Sequence, residues 1–189
     1  MRQLVLLAVC PIVLSSCSAK PAPGADSARF TNATGVLDSE KSRWVASSTG
    51  IGRVRFGMTL KALGTALGDS ALAATVSTTS CTYVRPKAVP RGIGLMISNG
   101  TVVRADVDSA GILTEAGIGV GDSEVSVLVI NSGRVRVEPG KYAGLQSHTL
   151  TVADPGDPEH AMIFETDGGK VRTFRAGVRS AVELVERCG

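Results

Sequence analysis

The fold is decided by residues 95–107, which read LMISNGTVVRADV. Two apolar runs flank the dipeptide Asn99-Gly100, and an Asn-Gly pair between such runs is the strongest short-range signal for a tight β-hairpin. Residues 162–174 repeat this scheme around an Asp-Gly-Gly turn. The chain is therefore predicted to contain two hairpins with glycine turns, one near its centre and one near its end.

A short amphipathic helix is predicted ahead of each hairpin. The first begins at Thr59, a good N-cap residue, and ends at Gly68, because glycine readily adopts the left-handed conformation that closes a helix. The second begins after the hydroxyl residue Ser123 and ends at Gly133. The same order of helix and hairpin thus occurs twice in the chain.

One further strand is predicted between each helix and its hairpin, over residues 80–85 and 148–153, and a proline closes each of these strands. The sequence therefore predicts an α+β fold of two tandem repeats, each with a short helix and a three- to four-stranded antiparallel sheet. The predicted repeats cover residues 44–110 and 111–189. The second repeat is expected to end in a helix over residues 180–187.

Residues 1–16 are predicted to form a signal peptide. Their apolar run, residues 4–14, is shorter than the roughly 20 residues that a membrane-spanning helix needs. It leads into residues 14–17, LSSC, which resemble the lipobox of bacterial lipoproteins. Cys17 is therefore predicted to carry a lipid such as palmitate that holds the protein at a membrane. An ordinary secreted protein cut near Ala19 is the alternative.

Residues 17–43 are predicted to form a flexible tether, because serine, alanine, proline and glycine dominate the stretch after the lipobox. The residue after Cys17 is a serine and not the aspartate that signals retention in the inner membrane. We therefore expect a location in the cell envelope, at the outer membrane and facing the periplasm.

Two cysteines, Cys81 and Cys188, remain once Cys10 leaves with the signal peptide and Cys17 is lipidated. Two cysteines in an oxidising compartment most often pair, so a disulfide is predicted. Closing a loop of about a hundred residues stabilises a fold by roughly 4 to 5 kcal/mol in the chain-entropy model. A redox-active or metal-binding thiol pair is the alternative, although such pairs are usually closely spaced.

The basic residues suggest a candidate binding face. The formal net charge of +3 is small and dispersed, which argues against nucleic acid as a partner. On one face of a sheet, the strand arginines would form a basic stripe for an acidic protein or an anionic glycan. The favoured alternative is the ordinary polar side of a half-covered sheet. The residues of the candidate face are Tyr83, Arg85, Arg104, Arg172 and Arg175, with Arg104 and Arg172 at corresponding places of the two hairpins.

No catalytic residue, cofactor or metal site is predicted. Ser147, His148 and Asp154 lie near one another in the sequence, but a serine-rich chain supplies such sets by chance. The loop from Asp154 onward offers oxygen and nitrogen ligands at Asp157, Glu159 and His160. Their spacing does not match that of a calcium loop, and a solvated turn explains them equally well.

Several short motifs carry a family likeness. Residues 57–59, GMT, before the first helix and the Cys-x-Tyr pattern at Cys81 and Tyr83 resemble the small α+β domain of the SmpA/OmlA outer-membrane lipoproteins. The duplication is similar to the architecture of the β-lactamase inhibitory protein family. This resemblance covers about Trp44 to Cys188 and implies a sheet face that binds proteins, without catalysis.

The expected function is therefore that of a lipid-anchored envelope protein that acts as a non-enzymatic protein-binding or structural module. Its expected partner is another envelope or secreted protein. The alternatives are an inhibitor of a secreted hydrolase, such as a β-lactamase or a protease, and an envelope hydrolase. Aromatic residues are the usual anchors of protein interfaces and make up only 4% of this chain, so no inhibitory residue is transferred from the resemblance.

Overall fold

The computed structural model describes residues 43–76, 81–141 and 144–188. The predicted signal peptide, the lipid site at Cys17 and nearly all of the predicted tether lie outside the described residues. In the part that is described, none of the helices has the length and apolar character needed to cross a membrane.

The described residues form ten strands and four helices. The strands are β1 (Ala46–Ser47), β2 (Gly50–Ile51), β3 (Val54–Arg55), β4 (Thr82–Val84), β5 (Ile93–Ser98), β6 (Thr101–Val107), β7 (Val135–Pro139), β8 (Ser147–Asp154), β9 (Asp157–Asp167) and β10 (Lys170–Val178). The helices are α1 (Leu60–Leu67), α2 (Leu72–Thr75), α3 (Glu124–Ile130) and α4 (Arg179–Val182). This mixture of antiparallel strands and short helices agrees with the predicted α+β class.

Most of the fold is one seven-stranded antiparallel sheet in the order β4-β5-β6-β10-β9-β8-β7, while β1, β2 and β3 form a small separate sheet. The sequence predicted a sheet of its own for each half of the chain. The two halves instead share one sheet, because β6 pairs with β10, with Val107 opposite Phe174. Gly177 allows this pairing, since a Cβ atom there would collide with the backbone of Val103 and Arg104.

Both predicted hairpins are confirmed. Asn99 and Gly100 have φ angles of 49° and 73°, and Gly168 and Gly169 have φ angles of 58° and 70°. Two consecutive residues with positive φ are typical of the tight turns that match the twist of the flanking strands. The turn chemistry read from the sequence therefore sets the register of β5 with β6 and of β9 with β10.

The starts of both predicted helices are also confirmed. Thr59 accepts a hydrogen bond from the amide of Ala62, and Gly68 ends α1 in the left-handed conformation with φ 70°. Ser123 caps α3 in the same way by accepting from the amide of Ser126. Helix α3 ends at Ile130 and not at Gly133, because tighter turn bonds follow it, from the amide of Ser132 to the carbonyl of Val129 and from the amide of Arg134 to that of Asn131.

A glycine three residues before each of the helices α1 and α3 is tied to the following hairpin by an equivalent backbone bond. In the first half, the amide of Gly57 donates to the carbonyl of Val102 at 2.7 Å. In the second half, the amide of Gly121 donates to the carbonyl of Val171 at 2.9 Å. Each bond places the start of a helix beside the second residue of the strand that follows the hairpin turn.

The hydrophobic core lies between one face of the large sheet and helices α1 to α3. Phe164 and Phe174 occupy its centre, with their ring centroids 5.5 Å apart. Further buried core residues from both halves are Trp44, Ile51, Leu60, Leu63, Leu95, Ile97, Val107, Ile112, Val127 and Leu150. The other face of the sheet packs against α4 through a small cluster of Ala161, Ile163 and Val182.

Two predicted element boundaries were wrong, and one strand was missed. The last helix spans only Arg179–Val182 and not residues 180–187, because the chain bends at residues 183, 185 and 186 on its way to the disulfide. Leu184, beyond the end of the helix, is exposed. Asp157 and Glu159 belong to β9 and not to a loop, since the hairpin turns on Pro155 and Gly156. Strand β7 was not predicted.

Candidate functional site: the polar face of the sheet

Side chains alternate between the two faces of a strand, so the sheet has a second face away from the core. On β10, Phe174 enters the core, while Arg175 lies on the second face opposite Asp106 of β6. We name this second face the polar face. Its central members are Arg104, Asp106, Thr151, Ile163, Glu165 and Arg175.

The end of the chain crosses the polar face as a strap formed by residues 179–188. The strap begins at α4, beside β9 and β10, and ends at the disulfide between Cys188 and Cys81, next to β4. The predicted disulfide is thereby confirmed. It holds the strap across the sheet from one half of the chain to the other.

Two buried arginines hold the strap by its backbone. The guanidinium of Arg104 donates to the carbonyls of Ala181 at 3.1 Å and Leu184 at 2.7 Å. Arg175 donates through Nε to the carbonyl of Val182 at 2.6 Å. The carbonyls of Ala181 and Val182 lie in the last turn of α4, where a helix has no amide partner for them, and that of Leu184 follows the helix. The arginines therefore complete the backbone bonding of the strap.

Each of these arginines is also neutralised by a carboxylate. Arg104 contacts Asp106 at 2.5 Å, and Arg175 contacts Glu165 at 2.7 Å. Burial lowers the pKa of the Arg175 guanidinium, and the bond from Glu165 opposes this effect. Arg104 and Asp106 form a buried ion pair, whereas the pair of Arg175 and Glu165 is partly buried because the Glu165 side chain is 28% exposed. Each buried guanidinium thus keeps a counter-charge, as a buried charge requires.

The far end of the strap is fastened by an aromatic and charged cluster. The guanidinium of Arg187 lies 4.7 Å from the ring centroid of Tyr83, and that of Arg85 lies 5.7 Å from it. Asp108 pairs with Arg85 at 2.6 Å. The ring of Tyr83 fits because it covers Gly94, where any Cβ atom would collide with the phenol.

The pKa of Tyr83 is raised. Burial of the phenol is the main cause and the carboxylate of Asp106 adds to it, while Arg187 and Arg85 act in the opposite direction. Tyr83 therefore remains an uncharged phenol and acts in this cluster through its ring face.

A cavity of about 310 Å³ opens on the polar face beside the strap. Its floor is formed by the ion pairs Arg104–Asp106 and Arg175–Glu165. Its rim carries three exposed cations and one partly exposed carboxylate, which are Lys141, Arg172, Arg187 and Asp167. The rim thus has an excess of positive charge.

The predicted basic stripe needs correction. Arg104 and Arg175 are only 1% and 5% exposed, so they hold the strap and do not face solvent. Arg85 is exposed but lies at the β4 end beside Tyr83. Of the four predicted arginines, only Arg172 lies exposed on the cavity rim.

Arg104 and Arg172 are also not at corresponding places. Between β5 and β6, Ile97 lies opposite Val102 and Met96 lies opposite Arg104. Val103 has no partner in this register and is therefore a bulged residue. The register of β9 with β10 shifts at Arg172 in the same way. Arg172 therefore matches Val103, the extra residue of the first hairpin, and the position that matches Arg104 is Thr173, one residue further along β10.

Ser147, His148 and Asp154 do not form a catalytic set. The Ser147 hydroxyl donates to the carbonyl of Gly144 at 2.9 Å, and the Asp154 carboxylate accepts from the amide of Gly156. His148 follows Ser147 on β8 and therefore points to the opposite face. Each of the three is engaged by different neighbours.

The possible cation ligands after Asp154 lie along the β8–β9 hairpin. The His160 ring contacts the Asp157 carboxylate at 2.9 Å, and this bond lowers the pKa of Asp157. Among the residues that the structure describes, no three His, Cys, Asp or Glu side chains converge on a point that could hold a metal ion. Asp157 and His160 form a local pair within one strand.

The sequence reasoning missed a polar contact that fixes helix α3 to the sheet. Glu124, the first residue of α3, accepts from the Thr166 hydroxyl at 2.6 Å and contacts the His148 ring at 3.0 Å. Burial raises the pKa of Glu124, but the bonds from Thr166 and His148 outweigh burial and leave that pKa below its ordinary value. An acidic residue directly after the N-cap Ser123 was the available signal.

Replacing Thr166 with Val should raise the pKa of Glu124, because the hydroxyl that stabilises its charged form is lost. A carboxylate with a lowered pKa adds stability above its ordinary pKa of 4.5, and that stability is lost as the pH falls through the lower folded value. Thr166→Val should therefore weaken the acid dependence of unfolding. NMR titration of Glu124 measures the shift. Thr149→Val is the control, since Thr149 donates to Glu165 instead. An equal shift of the Glu124 pKa in Thr149→Val would contradict the assignment.

The comparisons with known proteins identify no relative. No family model, no curated protein and no solved structure matches this chain.

Proposed function

We propose that this protein is a non-enzymatic binding module of the bacterial envelope, held at the outer membrane by a lipid on Cys17 and facing the periplasm. Its partner is another envelope or secreted protein, which presents an acidic segment to the cavity on the polar face. The observation that carries this proposal is the cation-rich rim formed by Lys141, Arg172 and Arg187.

The chemistry of the cavity supports an acidic partner. The floor arginines are neutralised by Asp106 and Glu165, so the rim determines the charge that a ligand meets. The rim contacts are loose, with Arg172 lying 4.0 Å from Asp167 and Arg187 lying 3.9 Å from Asp108. Exposed arginines with only loose partners can pair with carboxylates in a bidentate manner at little desolvation cost.

The disulfide supports an extracytoplasmic site of action, since such bonds persist in oxidising compartments. The bond from Cys81 to Cys188 fixes one wall of the cavity, because the strap that it anchors contributes Arg187 to the rim. A wall fixed before binding lowers the entropy cost of association. This favours a binding role for the cavity.

We further propose that the chain contains two copies of one ancestral unit. The support comes from equivalent features in both halves. Each half has a hydroxyl N-cap, at Thr59 or Ser123, and a bulge just after the hairpin turn, at Val103 or Arg172. The paired bonds between each helix start and its hairpin follow the same pattern. Duplication would explain why β6 and β10 meet at the centre of the sheet.

A photo-crosslinking residue placed at Arg172 should capture the partner in intact cells, because this position lies on the cavity rim. The same residue placed at Arg53, an exposed arginine of the β2–β3 turn, is the matched control and should not capture it. Lys141→Glu should weaken the captured complex about tenfold or more, since it replaces attraction with repulsion. Equal capture from both positions, or binding unchanged by Lys141→Glu, would remove the cavity from the proposal.

A further inference from the structure

Strand β7 lies at one end of the large sheet, next to β8 only. Within the described part of the chain, no backbone hydrogen bond reaches its outer edge. The opposite end of the sheet is the three-residue strand β4, beside the disulfide at Cys81. The five residues of β7 therefore form the longer open edge of the described sheet.

The register with β8 shows which backbone groups of β7 point outward. The amide of Gly140 donates to the carbonyl of Ser147, and the carbonyl of Arg134 accepts from the amide of Ala153. Bonding alternates along an antiparallel strand, so the even-numbered residues of β7 bond to β8. Val135, Val137 and Pro139 therefore direct their backbone groups outward.

The side chains of β7 are those that normally protect an edge from pairing. Arg136 and Glu138 are charged and exposed and pair with each other at 3.0 Å within one chain, and Pro139 has no N–H group to donate. Against an unrelated strand, these residues oppose association. Their order along β7 has a different consequence when the incoming strand is a second copy of β7.

In an antiparallel pairing centred on Val137, Arg136 of each copy lies directly opposite Glu138 of the other copy. This pair lies at the non-hydrogen-bonded positions, where side chains approach most closely. Sliding the second copy by two residues would place Arg136 opposite Arg136, or Glu138 opposite Glu138. The charges therefore select one register.

The same register satisfies the outward backbone groups. Val137 of each copy donates its N–H to the carbonyl of Val137 in the other copy. Val135 of each copy donates to the carbonyl of Pro139, and the ladder ends there because proline has no N–H. The side chain of Val137, which is 46% exposed, would pack against its own counterpart.

We propose that the protein forms a two-fold symmetric dimer through β7, so that the large sheet continues from one copy into the other. The inference is independent of the proposed binding function, because it uses only the edge strand and its charges. A symmetric contact of this kind is self-complementary and closes after two copies, which prevents further growth.

Charge reversal tests the register. Arg136→Glu alone and Glu138→Arg alone should each raise the dimer dissociation constant about tenfold or more, because each places like charges opposite at two symmetry-related positions. The double variant R136E/E138R should restore the dimer. A mixture of the two single variants should form a heterodimer, since their charges are complementary. Sedimentation of the full chain over a concentration series measures each outcome, and unchanged unfolding midpoints show that the exposed substitutions leave the fold intact.

A disulfide test locates the two-fold axis. Directly opposite residues at a hydrogen-bonded position have Cα atoms about 5.5 Å apart, which suits a disulfide. Val137→Cys should therefore give a covalent dimer under oxidation. Val135→Cys is the matched control and should not, because Val135 faces Pro139. The proposal would be overturned if the wild-type chain stays monomeric, since the edge would then be left to other partners. It would also be overturned if the dimer survives both single charge reversals. Equal crosslinking of the two cysteine variants would also overturn it.

Discussion

Removal of the Cys81–Cys188 disulfide is expected to lower the free energy of unfolding by roughly 4 to 5 kcal/mol. The bond joins residues separated by 107 positions, and the chain-entropy model assigns about this value to a loop of this length. The double variant C81A/C188A should therefore unfold at a much lower denaturant concentration than the oxidised wild type. Chemical denaturation measures the difference.

Reduction provides the control for this experiment. A thiol reductant should destabilise the wild type by about as much as the double substitution does, and it should leave C81A/C188A unchanged. Hydrogen exchange should then show the largest loss of protection in the strap, because the disulfide anchors its far end beside β4. A difference below about 1 kcal/mol would show that the strap is held without the bond.

Replacement of Arg104 with Ala is expected to cost about 3 to 5 kcal/mol of stability, because it leaves Asp106 buried without its counter-charge. It also removes the donors to the carbonyls of Ala181 and Leu184. Arg104→Lys should recover only part of the loss, since one ammonium group cannot reproduce a planar guanidinium that bonds in several directions.

Arg172→Ala is the matched control for Arg104→Ala. Arg172 lies on the same sheet, but its side chain is 60% exposed and its nearest carboxylate is 4.0 Å away. Its removal should therefore change the unfolding free energy by no more than about 0.5 kcal/mol. Thermal or chemical denaturation compares the two variants. Equal costs would contradict the distinction between a buried and an exposed arginine.

The elements with local signals were predictable from the sequence. The Asn99-Gly100 turn, the N-cap at Thr59 and the closing glycine at Gly68 each depend on the conformation of a few neighbouring residues. The disulfide was predictable because an oxidising compartment was expected and because Cys81 and Cys188 were the two cysteines outside the predicted signal peptide and lipid site. In each of these cases, local chemistry or a simple count decides the outcome.

The polar face was not predictable because it depends on pairing between distant strands. Whether Arg104 faces solvent or the strap depends on a bulge at Val103 and on where residues 179–188 run. The residues around Arg104 in the sequence indicate neither the bulge nor the path of residues 179–188. Strand β7 alternates Val135, Arg136, Val137 and Glu138, a period-2 signal that was present but short.

The position of β10 has a consequence for folding. It is the latest strand of the chain, yet it lies at the centre of the sheet, between β6 and β9. Before β10 is in place, β6 and β9 each expose an unpaired edge, and such edges promote aggregation. Contacts between strands so distant in sequence also form slowly. The domain is therefore expected to gain its stability late and in one cooperative step, once its last strand has inserted.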